Sequence, residues 1–292
     1  MPAREPIGRT FPVATIEVIR MPTLIEAFQL WWRHSRAWKR RERATDGRQI
    51  VGAQYTFRGD ELHAPWGPKP RFLPEGTRAD AWGWFPDMRR VLILSAWESR
   101  AALDEYEARL ALPRGAERWV ARLRPVKVKG KIEGEQVLGE FTDVGGTGHK
   151  PGVSMTWNKH GLWHEPGFRS WIRKIADDSH RTPGVLPSMS SGWALGLPYF
   201  RAFTLTCWQR LDDSVRFAYK RPAHADVIKW YGDPERFSEP WWGRFVVEES
   251  RGTLAGRNPF EGLELDPEVP RRGLPTTGEA PTAAAATTAR SP

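Results

Sequence analysis

VLILSAWESRAALDEY, residues 91–106, and FTLTCWQRLDDSVRFAY, residues 203–219, are two versions of one module. Each is an apolar run that ends in tryptophan, Trp97 in the first and Trp208 in the second. A polar turn follows, then an amphipathic stretch with an aromatic residue near its end. The β-type apolar run predicts a strand and the spacing after it predicts a helix. A strand-then-helix unit that occurs twice bounds the architecture as an internal repeat. The two copies continue differently. The first runs on as EARLALPRGAERWV (107–120), with no histidine, and the second as KRPAHADVIKWY (220–231), which contains His224. A duplicated scaffold with one chemically equipped half suggests a single site.

Working outward from the first copy, residues 13–19 are rich in β-branched side chains and read as a strand. Pro22 and Thr23 open a helix in which Leu24, Phe28, Trp31, Ser35 and Trp38 recur at helical spacing, predicting one buried stripe. The run KRRER, residues 39–43, ends it with cations that complement the helix dipole. Residues 49–57, 90–97 and 120–132 read as further strands and 100–112 as the second helix. Residues 58–88 form an insertion rich in Pro, Gly and Trp; its length suits a lid or pocket wall, and Trp66, Trp82 and Trp84 argue against disorder. Residues 11–135 thus have the order βαββαβ, the ferredoxin-like arrangement.

Residues 136–151 read as a linker with the turn cluster GGTGHKPG (145–152). The order then repeats over 152–260. Strands are expected at 153–158, 185–195, 200–208 and 241–248, and a helix at 168–177. Asp212 is expected to cap the next helix, and Pro222 to kink or restart it. Residues 261–292, rich in Pro, Thr and Ala, predict a disordered tail that is dispensable beyond about residue 270. The predicted fold is α+β: tandem ferredoxin-like halves that face their sheets toward each other, as in a dimeric α+β barrel made within one chain. Helices would lie outside and an apolar, aromatic cavity between the sheets, suited to a hydrophobic ligand.

Composition narrows the class. The chain has 292 residues, of which 16 are Trp, and a formal charge of +9. A solvated basic surface is the bland reading of that charge, with nucleic acid or an anionic membrane surface as the alternative, and no zinc spacing, phosphate loop or nucleic-acid motif supports the sharper one. No apolar run is long enough to span a membrane, and the N-terminus lacks a signal peptide's apolar segment. Cys207 is the only cysteine, which excludes an internal disulfide and suits a reducing cytoplasm. The expected location is cytoplasmic, with peripheral contact at the inner face of a membrane left open.

The stretch 182–260 resembles the spheroidene monooxygenase family. The landmarks are Thr182-Pro183-Gly184, Thr204, Trp208, Phe217, His224, Trp242, Arg244-Phe245, and Gly252-Thr253 followed by GRNPF. The first half is similar mainly through GRQIVGAQYT (47–56) and LSAW (94–97), and the 58–88 insertion departs from the family pattern. The resemblance implies a haem-containing monooxygenase that introduces oxygen into an acyclic carotenoid or similar polyene. Haem b, dioxygen and an external electron donor, such as a partner protein, come with it. Catalytic side chains and oligomeric state are left open.

Within that resemblance His224 is the candidate metal ligand. On a helix it shares a face with Val227, Ile228 and Tyr231, and an imidazole on an apolar face can ligate haem iron. The bland alternative is a core histidine satisfied by a backbone carbonyl. Arg244 and Arg221 are candidates to face a haem propionate, against a structural or solvated role. Cys207 reads as a small core residue, with a thiolate ligand as the sharper alternative. His160 and His164 sit in NKHGLWHEPG (158–167), where Gly161 and Pro166 argue for a turn rather than a metal site. Two other functions share the barrel: a cofactor-free, antibiotic-biosynthesis-type monooxygenase, and a non-enzymatic protein that binds haem or a hydrophobic ligand.

Overall fold

The computed structural model describes residues 13–40, 48–57, 86–97, 99–132, 138, 146–161, 175, 178, 182–186, 192–194, 199–231, 240–253 and 256–265. The first half contains β1 (Val13–Arg20), α1 (Leu24–Arg40), β2 (Arg48–Phe57), β3 (Pro86–Trp97), α2 (Arg100–Arg109) and β4 (Glu117–Gly130). The second contains β5 (Gly152–Gly161), β6 (Gly192–Ala194), β7 (Tyr199–Trp208), α3 (Leu211–Lys220), α4 (Pro222–Tyr231) and β8 (Trp241–Gly252). These strands close into one antiparallel barrel in the order β1-β3-β2-β6-β7-β5-β8-β4. The order β2-β3-β1-β4 of the first half is matched by β6-β7-β5-β8 in the second.

The halves join edge to edge, not face to face. β4 pairs with β8, and β2 with β6. Edge pairing satisfies backbone N–H and C=O groups that two facing sheets would leave open. The barrel interior is correspondingly different from the expected cavity. Ile16, Leu94, Trp119, Met155, Phe203 and Phe245 belong to one contiguous buried cluster that draws on six strands. An eight-stranded barrel is about wide enough for its own side chains to fill. Over the described residues, packed core stands where a ligand was expected.

Trp97 and Trp208 occupy equivalent places. Trp97 Nε1 donates to Thr15 Oγ1 at 2.8 Å, and Trp208 Nε1 donates to Ser154 Oγ at 2.7 Å. Val13 lies opposite Trp97 and Gly152 opposite Trp208, so each acceptor sits two residues beyond the facing residue. Each indole also meets a ring from the helix that follows, Tyr106 at 5.0 Å and Phe217 at 5.6 Å.

α1 begins with a capping box. Thr23 Oγ1 accepts from the Glu26 N–H at 3.3 Å, while Glu26 Oε2 accepts from the Thr23 N–H at 3.1 Å. The buried stripe is Ala27, Leu30 and Trp31, packed on Ile19, Met21, Val91 and Ile93. Leu24 and Phe28, expected inside, are exposed. Both stripes have helical spacing, and the side that faces the sheet is settled by contacts outside the helix.

The second half departs from expectation in detail. Within the expected strand 185–195, only Gly192–Ala194 is a described strand, and Val185 makes an isolated bridge to Trp208. β5 continues through His160 to Gly161, where a turn was expected, because β7 pairs along its whole length. Arg210, not Asp212, holds the N-cap of α3, without a side-chain cap. Linker carbonyls replace that cap: Lys150 O accepts from the Leu211 N–H at 2.9 Å, and Gly148 O from the Asp212 N–H at 2.8 Å. Pro222 restarts the helix, as its missing N–H and fixed φ suit a first turn. The expected helix at 168–177 and most of the 58–88 insertion lie outside the described residues.

The GRNPF segment packs on the barrel core through Phe260. Phe260 stacks on Trp119 at 6.5 Å and 16°. Asn258 Oδ1 accepts from Ser250 Oγ at 2.7 Å and from the Phe260 N–H at 3.0 Å. Leu263 and Leu265 pack against the same core, so the packed chain runs past the expected boundary at residue 260. No helix among the described residues is long and apolar enough to cross a membrane.

Candidate functional site on the outer face of the second half

Strand register arranges this face in rows. Trp208, Gly152 and Val246 form the first; Thr206, Ser154 and Arg244 the second; Thr204, Thr156 and Trp242 the third. Directly opposed residues share a face. α3 covers the first row, where Leu211 packs on Val246 and fills the space that a Cβ on Gly152 would need. The other two rows lie roughly 7 and 13 Å farther along the strands. Their six side chains are half-buried.

Those rows carry both hydroxyls and charge. The Thr156 and Thr204 hydroxyls are 2.5 Å apart. Arg244 Cζ lies 5.9 Å from the centroid of the Trp242 ring, and Lys127 Nζ, from β4, lies 5.6 Å from it. Two cations at one indole, beside a set of hydroxyls, suit an anionic oxygen group.

The first half repeats the second row, as Ser95, Thr15 and Arg122, but seals it. All three are buried. Arg122 is held by Asp104 at 3.2 Å and Glu249 at 3.1 Å. In place of the Thr204–Thr156–Trp242 row it has Ile93, Glu17 and Val120, also buried. The half that leaves its polar rows half-open is the half that carries His224.

His224 lies on α4 with its ring 4.8 Å from Phe217, the residue that meets Trp208. Its Nδ1 is 3.1 Å from the Ala218 carbonyl oxygen. A carbonyl only accepts, so Nδ1 bears the proton and Nε2 keeps its lone pair. Burial holds the imidazole below its ordinary pKa, outweighing the Ala218 hydrogen bond and the Asp178 charge, which act the other way. A neutral ring fixed through Nδ1–H to a carbonyl is how histidine is presented to a metal. The same bond equally satisfies a plain core histidine, the alternative read from the sequence. Of its expected apolar face, Val227 is buried and Ile228 is exposed.

Other sequence candidates fall differently. Arg244 stands in the second row, next to Ser154, which accepts from Trp208. Arg221 sits at the α3–α4 junction, where its carbonyl accepts from the Ala225 N–H at 3.0 Å. Cys207 belongs to the barrel interior, where burial pushes its thiol pKa far up. A protonated thiol inside the core is no thiolate ligand, and the core reading of Cys207 holds. His160 lies on β5 opposite Phe200, its side chain outside the described set, as is all of His164. Lys127, Ser154 and Thr156 were not singled out in sequence. The alternation in VSMTWN (153–158) and PVKVK (125–129) is the signal that would place their side chains opposite the core.

No family model matches the chain, and no curated protein matches it. Several solved structures do. The chain is similar to an aldoxime dehydratase at 12% identity and a TM-score of 0.48, covering 91% of this chain and 96% of the other. It is similar to a monooxygenase-like protein from Listeria innocua at 10% identity and a TM-score of 0.24, over 80% and 95%. Chlorite dismutase from Candidatus Nitrospira defluvii matches at 11% identity and a TM-score of 0.24, over 81% and 92%. At such scores these are likenesses only, and no chemistry is transferred from them.

Proposed function

We propose that this protein is a haem-dependent monooxygenase acting on a carotenoid or similar hydrophobic polyene, built as a tandem of ferredoxin-like halves. The observation that carries the reading is His224: a neutral imidazole tied through Nδ1 to Ala218, in the half whose polar sheet rows stay half-open among the described residues. The resemblance of FAYKRPAHADVIKWY (217–231) to the spheroidene monooxygenase family points to the same residue. The tandem reading is supported by the matched strand orders and by the paired Trp97 and Trp208 bonds.

Haem bound here would supply dioxygen activation, with electrons from an external donor protein. The chain's own part is positional. His224 Nε2 would be the nitrogen that holds the iron, while Ala218 fixes the tautomer of the ring and Phe217 packs against it. Arg244, with Lys127, and Arg221 would be the cations to meet haem propionates. The packed barrel beneath gives these side chains a rigid base.

An absorbance spectrum of protein purified from haem-replete cells tests the reading. Wild-type protein is expected to show a Soret band, and His224→Ala to shift or lose it while keeping its fold. A colourless wild-type protein would return the choice to the cofactor-free oxygenase or the hydrophobic-ligand binder. An unaltered Soret band in the variant would remove His224 as ligand.

A further inference from the structure

We propose that the outward face of α1 seats this protein on an anionic lipid surface. Leu24, Ile25, Phe28 and Trp32 are 59%, 71%, 49% and 47% exposed. Isolated exposed apolar residues are ordinary, but these lie together on one helix face, with Phe28 stacked on Trp32 at 5.9 Å and 24°. The helix is already anchored by its other face, through Ala27, Leu30 and Trp31.

The charge of the helix selects the occupant. Its sequence, LIEAFQLWWRHSRAWKR, has one carboxylate against Arg33, Arg36, Lys39 and Arg40. That carboxylate, Glu26, is folded back onto Thr23, whose hydroxyl donates to it at 2.7 Å. Helical spacing sets Lys39 two turns beyond Trp32, and Arg41, Glu42 and Arg43 follow in the chain, a net addition of positive charge. Aromatic and aliphatic side chains on one face with cations around it are the pattern of an interfacial helix. Each cation near an anionic bilayer adds attraction that salt weakens. A protein partner fits less well, since four side chains fall far short of the roughly 800 Å² per partner of a stable interface. The proposal does not depend on what the protein turns over or on any cofactor.

Flotation of the full-length protein with phosphatidylcholine vesicles, with and without phosphatidylglycerol, tests it. Binding to the anionic vesicles is expected to be at least about tenfold stronger than to neutral ones and to weaken at high salt. Phe28→Ser/Trp32→Ser should lower it by about tenfold or more at an unchanged thermal midpoint. If that variant also loses stability, Arg33→Glu/Lys39→Glu decides the matter, with reduced vesicle binding at an unchanged midpoint expected. The proposal is overturned if wild-type protein ignores anionic vesicles or if a folded variant binds them equally. It is overturned too if the face proves to join two copies, so that the serine variant turns a dimer into a monomer.

Discussion

A histidine that gives up its charge on folding leaves a thermodynamic trace. In the unfolded chain His224 takes up a proton near pH 6.5, about the ordinary value. In the folded protein burial holds it neutral to lower pH. The unfolded state therefore binds more protons in that window, and stability falls as pH drops through it. Above about pH 7 both states are neutral and the contribution is complete. Urea midpoints measured from pH 8 to pH 5 should fall more steeply for wild type than for His224→Gln. Parallel curves would mean that the folded imidazole titrates normally. His224 was singled out in sequence through its place after the second Trp module. Its bond to Ala218 was not, because the partner depends on how α4 folds back on α3.

At the scale of the element, the Trp modules supply a direct comparison. Each indole N–H meets a hydroxyl on the neighbouring strand, so Trp97→Phe and Trp208→Phe delete the same bond in the two halves. Each should cost about 1–3 kcal/mol, from the lost ring volume and the hydroxyl left behind. Chemical denaturation of both variants is the check; a silent change at either position would deny the equivalence. The β4–β8 seam has its own marker. Gly252 has φ +72°, and a Cβ there would run into the Arg118 carbonyl; Gly130, at the other end, has φ +98° and faces the Pro240 carbonyl. Gly252→Ala should destabilise by about 1–3 kcal/mol, read as a lower thermal midpoint.

Elements were more legible than their orientation. The strands of the first half, α1, α2 and the break at Pro222 follow from alternation, helical spacing and proline chemistry. The inward side of α1 did not, because Leu24 and Phe28 continue a helical stripe as well as Ala27, Leu30 and Trp31 do. Asp212 looked like a cap because capping residues are recognised by type, whereas carbonyls from the linker fill that role here.

For the whole molecule, the α+β class was readable, but the way its sheet closes was not. Local periodicity says which residues form an edge and is silent on which edge meets it. That bears on where a ligand could sit: facing sheets would enclose one between them, while in the closed barrel the described residues pack the middle.

Among the described residues, the two seams of that barrel are unequal. One runs from Trp119 opposite Gly252 to Gly130 opposite Trp241. The other consists, among the described residues, of Tyr55 opposite Trp193 and Thr56 opposite Gly192. Amide hydrogen exchange should report that difference, with Tyr55, Thr56 and Trp193 exchanging by local opening and the central amides of β4 and β8 only with global unfolding. Comparable protection at both seams would contradict it. A ring with one weak link can open without coming apart: the halves would swing about the long seam like the covers of a book about its spine.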